Sequence, residues 1–370
     1  PESPSLQFFL KVLAAPPTPI YDSCSMAPRT ATPPTPPRSL DLPPLIARGL
    51  ERVGARVAQQ LTSDVPEVHA LCRSLDKYRG KMLRPTLSLL CAHAVRRDSL
   101  EIVDEALIVP DVVTVASVVE MIHLATLVHD DVLDEAETRR GHATINRIEG
   151  NEIAVILGDF LISQSFHLCS SLDTQKTALR VGEITSAVCA GELLQLARRG
   201  DAALDEPTYF RIIERKTAAL IGLACEVGAR HAGADEATCA AMYRFGSHLG
   251  IAFQIQDDLL DLIGDEAVVG KPLGKDIEKG KVTLPVLHHM GRLATAEREA
   301  IEARIRTSTP LNGSRSMLAA RLDASGSIEY ARKVAREHIE RALSELGRLG
   351  ESPARERLAA VGESVIDRQF

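Results

Sequence analysis

Apolar residues recur at three- and four-residue steps from position 45 to position 370, and no stretch of useful length alternates apolar with polar residues. That pattern predicts helices near 45–62, 66–75, 84–97, 112–134, 151–171, 175–199, 207–231, 235–263, 283–291, 295–306, 327–347 and 354–368. Pro and Gly fall where connections belong: Gly80 and Pro85, Gly141, Gly200, Gly233, the stretch 264–280, Pro310 to Gly313, and Gly350 to Pro353. The expected fold class is all-α, one domain over 45–370. Residues 1–44 break the pattern. They are rich in Pro, Ser and Thr, carry one apolar patch from Leu6 to Ala15, and lack the basic start of a signal peptide, so they are expected to be a disordered tail. The chain opens on Pro1 rather than Met, which makes Met26 a candidate start.

Two acidic runs interrupt the apolar helices: Asp130, Asp131 and Asp134, then Asp257, Asp258 and Asp261. Residues four apart share a helix face, so Asp130 with Asp134, and Asp257 with Asp261, each make a two-carboxylate claw. A claw of this kind suits Mg²⁺, which takes oxygen ligands and is usually held by one or two carboxylates plus the phosphate oxygens of a substrate. The implied ligand is a diphosphate. An acidic run is more commonly a solvated helix face, but two copies of one spacing in one chain make that reading weak. Both runs lie toward the C-terminal ends of long helices, which places them at one mouth. Below each, the helix faces are apolar and line either a packed core or a lipophilic tunnel.

Composition narrows the partners. A formal net charge of -7 argues against nucleic acid, while leaving local Lys and Arg clusters free to bind a compact anion. The seven Cys form no Cys-x-x-Cys pair, which fits reduced thiols in a cytoplasmic protein and excludes zinc and disulfide frameworks. No apolar run is expected to reach the roughly 20 residues of a membrane span. Candidate anion ligands gather near the acidic runs: Lys81 and Arg84, Arg139 and Arg140, and Lys216 with Thr217. Arg offers a two-pronged fork to phosphate oxygens, and Lys a point charge.

Together these motifs resemble the trans-isoprenyl (polyprenyl) diphosphate synthase family, long-chain type. The likeness runs from about Leu45 to the C-terminus. It is carried by Gly80-Lys81-Met82-Leu83-Arg84-Pro85, by His123 through Asp134 followed by Arg139-Arg140-Gly141, by Lys216-Thr217, and by Phe253 through Asp258 with Lys271 and Lys281 beyond. The resemblance implies a bundle of long, mostly antiparallel helices around a central cavity. It also implies Mg²⁺-dependent head-to-tail condensation of isopentenyl diphosphate with an allylic diphosphate, about three Mg²⁺ ions per site with substrate bound, and a homodimer. Lys81, Arg84, His123 and Arg140 would bind isopentenyl diphosphate. Arg139, Lys216, Thr217, Gln254, Lys271 and Lys281 would serve the allylic diphosphate, and the carbonyl of Lys216 with Thr217 and Gln254 would steady a carbocation. Asp130, Asp134 and Asp257 would hold the metal directly, with Asp131, Asp258 and Asp261 around them.

Product length should follow the side chains one and two turns below the first motif, Thr126, Ala125, Ile122 and Met121. No aromatic plug stands there, so a long product is expected, of geranylgeranyl length at least and by preference a longer polyprenyl chain, with a geranylgeranyl or farnesyl diphosphate synthase as the alternative. His129 is not assigned to the metal, because the residue next to Asp130 points about 100° away on a helix. Glu192, Gln195 and Asp159 are polar residues in apolar helices, to be explained by a cavity or by helix contacts. Three other readings stand beside this one. A terpene cyclase would mix Asn, Ser and Glu in its second motif. A head-to-head synthase would not need the set Lys81, Arg84, His123 and Arg140. A non-catalytic subunit of a heteromeric synthase would not need both acidic motifs intact.

Overall fold

The computed structural model describes residues 42–78, 80–264, 273–306 and 315–366. Its helices are α1 (Pro44–Gln60), α2 (Pro66–Ser74), α3 (Leu83–Arg96), α4 (Pro110–Leu133), α5 (Ile145–Glu149), α6 (Asn151–Cys169), α7 (Gln175–Ala197), α8 (Glu206–Ile213), α9 (Ala219–His231), α10 (Glu236–Ile263), α11 (Lys275–Glu278), α12 (Leu284–Met290), α13 (Thr295–Arg306), α14 (Arg315–Ala324), α15 (Ser327–Glu345) and α16 (Pro353–Ile366). Local chemistry sets several starts. Pro occupies the first turn of α1, α2 and α4, where its missing N–H costs nothing. Asp205 and Asp235 cap α8 and α10 by accepting from the backbone N–H of Thr208 and Thr238; such a cap is worth about 1 kcal/mol.

Helix α9 is the hub: every residue from Ala219 to Ala229 is buried, as expected of a helix that is apolar all round. It packs against α3, α4, α7 and α10. The two helices carrying the acidic motifs, α4 and α10, therefore share one central neighbour. Helix α15 backs α10 from the other side, and α1, α3 and α6 cover α4. The aliphatic core runs through all of these, from Leu45 and Ile46 in α1 to Val361 and Val365 in α16.

The predicted helices recur with four differences. The segment expected as one helix over 207–231 is divided by a π turn, Glu214–Ala218. Helix α14 and the short α5 and α11 were not expected, and α4 begins two residues early, at Pro110. A small hairpin pairs Thr138 with Ala143 and Arg139 with His142. The expectation that no apolar stretch reaches membrane length also fails: α4 and α6 are long and apolar enough by length and composition. The apolar window of α4 is 72% buried inside the bundle, which is what a core helix gives, whereas that of α6 is 39% buried. The expectation of a disordered tail falls on residues 1–41, outside the described residues, apart from its last few positions.

Candidate active site

The first motif closes α4. Asp130 and Asp134 are half-buried, whereas Asp131 is 1% exposed and fully engaged. Its carboxylate accepts from Arg139 through Nε at 2.9 Å and Nη2 at 2.7 Å, and from the Tyr78 hydroxyl at 2.8 Å. The hairpin makes this possible by folding Arg139 back over the helix end. Arg140, at φ 52°, donates to the Tyr78 carbonyl at 2.7 Å. Its guanidinium lies where a side chain at Gly80 would be, only 2.3 Å from the position of a Cβ there. Met82, Glu135 and Arg140 all hold left-handed backbone at this end of the molecule. Such strain, about 1–3 kcal/mol each, persists where surrounding contacts over-determine it.

The second motif closes α10 with different partners. Asp258 accepts from the Tyr209 hydroxyl at 2.7 Å and from Gln254 Nε2 at 2.9 Å, and the Thr217 hydroxyl donates to Gln254 Oε1 at 2.9 Å. Burial, then the nearby Asp276, pushes the Asp258 carboxyl well above its usual range. Burial likewise raises Tyr209, with Asp258 adding to it. Asp261 accepts from the backbone N–H groups of Lys275 at 3.3 Å and Asp276 at 3.1 Å, and so fixes the start of α11. Asp257 is half-buried. Lys271, expected near this motif, lies outside the described residues.

Basic side chains join the two motifs. Lys216, in the π turn, pairs with Glu192 of α7 and stands 3.9 Å from Asp130. Gly191 permits the approach: a Cβ there would lie 2.7 Å from both the Lys216 nitrogen and the Arg215 Cβ. Burial works against the charge on Lys216, but Asp130 and Glu192 more than offset it and raise its pKa. Burial dominates at Asp130 and raises its carboxyl despite Lys216. Asp134 behaves oppositely. Burial is again the largest single influence, yet Lys281 and Lys279 together hold its carboxyl below the usual value. Lys279 lies 3.0 Å from Asp134, and Lys281 and Arg199 each 3.6 Å. Residues following the second motif thus reach the last Asp of the first.

A second basic group lies beside the first motif. The buried Nε of Arg84 finds no acceptor among the described residues. Burial lowers Arg84 to about 10, against the pull of Glu120. His123 is held well below its usual value by burial and then by Arg84, Arg140 and Arg139, so the imidazole is neutral and faces a surplus of positive charge. Lys81 is half-buried at the approach to α3. Of the tunnel candidates on α4, Met121, Ile122 and Ala125 are fully buried. Thr126 is half-buried and donates to the His123 carbonyl at 2.8 Å. His129 turns away from the motif, packing over Gly158 with Nε2 3.1 Å from the Val155 carbonyl. Tyr78, Tyr209, Glu120, Arg199, Lys279 and Asp276 belong to this site and were not singled out from the sequence. Of the three polar residues marked in apolar helices, Glu192 reaches Lys216, Gln195 donates to Glu192 at 3.2 Å, and Asp159 lies 3.6 Å from His129.

Among the described residues, no three His, Cys, Asp or Glu side chains converge into a ready metal cage. The half-buried carboxylates of Asp130, Asp134 and Asp257 offer oxygen alone. That donor set fits Mg²⁺, which rarely uses an all-protein cage and completes its shell with water and substrate phosphate.

Comparison with known proteins gives a consistent picture. Residues 65–316 match the Polyprenyl synthetase family. The octaprenyl diphosphate synthase of Escherichia coli (strain K12) is 35% identical over 327 residues, 88% of this chain and 97% of that protein. A decaprenyl diphosphate synthase from Rhodobacter capsulatus superposes with a TM-score of 0.80 at 33% identity, covering 87% of this chain and 97% of that one. A polyprenyl synthase from Caulobacter crescentus CB15, solved in complex with calcium and isoprenyl diphosphate, superposes with a TM-score of 0.79 at 31% identity, over 88% and 96% of the two chains. The chain belongs to the polyprenyl synthetase family and is a prenyltransferase.

Proposed function

We propose that the enzyme condenses isopentenyl diphosphate head-to-tail with an allylic diphosphate and repeats the step to give a long all-trans polyprenyl diphosphate. The observation that carries this reading is the chain of contacts spanning both motifs: Lys216 beside Asp130, Thr217 on Gln254, Gln254 on Asp258, and Lys279 and Lys281 on Asp134. A diphosphate in that space meets cations from several segments at once. Arg84, His123, Arg140 and Lys81 make a separate anion site for isopentenyl diphosphate, supported by the unmatched Arg84 Nε.

Asp130, Asp134 and Asp257 would hold Mg²⁺, which when bound would supply positive charge that eases departure of the diphosphate. Lys216 and Lys281 hold the diphosphate end of the allylic substrate while its carbon–oxygen bond breaks, the electron pair leaving with oxygen. The Lys216 carbonyl, Thr217 and Gln254 face the allylic cation, and a π turn suits that task because its displaced backbone bonds free carbonyl dipoles. The isopentenyl double bond then attacks the cation, and the departed diphosphate takes the released proton. Neutral His123 and Arg84 hold the attacking substrate in line.

A long product is supported by Ala125, fully buried one turn below Asp130, and by the octaprenyl and decaprenyl products named for relatives. Incubation with labelled isopentenyl diphosphate, a series of allylic primers and Mg²⁺ should give a ladder ending beyond geranylgeranyl length; absence of any condensation would refute the proposal. Cytoplasmic residence is supported by the free thiols of Cys72, Cys91, Cys169, Cys225 and Cys239, all buried. A homodimer is supported by exposed apolar side chains on α5, α6 and α7: Ile148, Ile156, Leu179 and Leu193. Ile156→Glu combined with Leu193→Arg should turn the dimer into monomer in light-scattering chromatography.

A further inference from the structure

Asp134 is contacted by more positive charge than one carboxylate can use. Three cations from two segments surround it: Arg199 just past the end of α7, and Lys279 and Lys281 in the turn after α11. Only Lys279, at 3.0 Å, is at hydrogen-bonding distance. Arg199 and Lys281 stand 3.6 Å away, close enough to neutralise Asp134 but too far to lock it. Lys281 is also 3.9 Å from Asp276. All three side chains are partly exposed, at 35%, 28% and 18%, so none is committed to the core. Loose, partly wet pairs of this kind add little to stability and exchange readily. A divalent cation approaching Asp134 meets this positive ring and is repelled, whereas a diphosphate is drawn to it.

We infer that Arg199, Lys279 and Lys281 form an exchangeable clasp that masks Asp134 until a diphosphate draws the cations onto itself and frees the carboxylate for a divalent cation. The inference rests on the proposed function and deepens it. Arg199 and Lys279, which belong to neither acidic motif, become ligands of the allylic diphosphate, and metal and diphosphate binding are coupled through them. Coupling of this kind is reciprocal: whatever factor diphosphate adds to metal affinity, metal adds to diphosphate affinity.

The test is calorimetric titration of the full chain with Mn²⁺ alone, with inorganic pyrophosphate alone, and with each in the presence of the other. Pyrophosphate should tighten Mn²⁺ by about a hundredfold. Lys279→Ala and Arg199→Ala should each tighten Mn²⁺ in the absence of pyrophosphate by about tenfold and shrink the coupling factor by about tenfold, while Lys279→Arg keeps both near the parent values. Thermal melts of the variants should match the parent, since the side chains lie at the mouth. A coupling factor unchanged in both alanine variants would overturn the clasp. Failure of the parent to bind pyrophosphate under any condition would instead overturn the proposed function itself.

Discussion

The two acidic motifs share one spacing and differ in how their middle carboxylate is neutralised. Asp131 meets a two-pronged guanidinium and a tyrosine hydroxyl; Asp258 meets an amide and a tyrosine hydroxyl, with Asp276 nearby. Each motif has its own buried tyrosine, Tyr78 or Tyr209, but of the two middle carboxylates only Asp131 is paired with a cation among the described residues. The first motif is therefore set in charge and geometry by the protein alone. Burial and Asp276 hold the middle carboxyl of the second toward its neutral form, where it relies on hydrogen bonds from Tyr209 and Gln254. A four-residue pattern prescribes where carboxylates stand, and their surroundings decide what each is ready to do.

The largest test of that contrast is activity. Asp130→Ala, which removes a carboxylate directly beside Lys216, should lower kcat by about a thousandfold or more. Asp257→Ala, without such a partner among the described contacts, should cost nearer a hundredfold; equal losses in steady-state assays would erase the distinction. Stability should separate the middle residues. Asp131→Asn takes the two-pronged carboxylate partner from half-buried Arg139, leaving it only the more distant Asp130, and should cost about 2 kcal/mol in urea unfolding. Asp258→Asn replaces a carboxyl that burial and Asp276 already hold toward its neutral form, and should stay within about 1 kcal/mol of the parent.

Product length gives a finer comparison, because an alanine stands five residues before the first Asp of both motifs, Ala125 and Ala252, each fully buried. If the growing chain follows α4, Ala125→Phe shortens the ladder on chromatography. Ala252→Phe should instead overpack the α10 core, lowering stability by about 1–3 kcal/mol with product length unchanged. The effect confined to acid pH lies behind the second motif alone. His248 on α10 and His338 on α15 approach to 3.1 Å, beside Arg341, Arg244 and Glu345. Burial, then His248, lowers His338 to about 4. The unfolded chain binds the extra proton first, so stability is lost as pH falls from about 6.5 toward 4. The loss, at most about 3 kcal/mol, should flatten in His338→Leu, measured as melting temperature against pH.

Most helices were legible because Pro, Gly and apolar spacing mark them strongly. Helix α14 escaped because it follows Pro310 to Gly313 and carries a weak stripe, with Leu322 alone buried. The π turn escaped because slipping one backbone bond changes no residue type. In the site, the Asp runs and the Gly80 to Pro85 and Lys216-Thr217 segments announced themselves by local spacing. Tyr78, Tyr209, Arg199 and Lys279 did not, because each acts on a carboxylate far away in the chain and a lone Tyr or Lys has no local pattern.

The π turn at Glu214–Ala218 works as a phase shifter. Tyr209 and Thr217 are eight residues apart, which in an unbroken α-helix turns them about 80° from each other. One residue absorbed by the wider turn cuts the effective spacing to about seven and brings them within about 20°. Both then address α10, one through Asp258 and the other through Gln254. Rewinding this turn to regular pitch with its residue count unchanged would swing Thr217 about 80° from Tyr209, whereas deleting one residue would restore their alignment on an unbroken helix, so the chain here carries one residue more than that alignment requires.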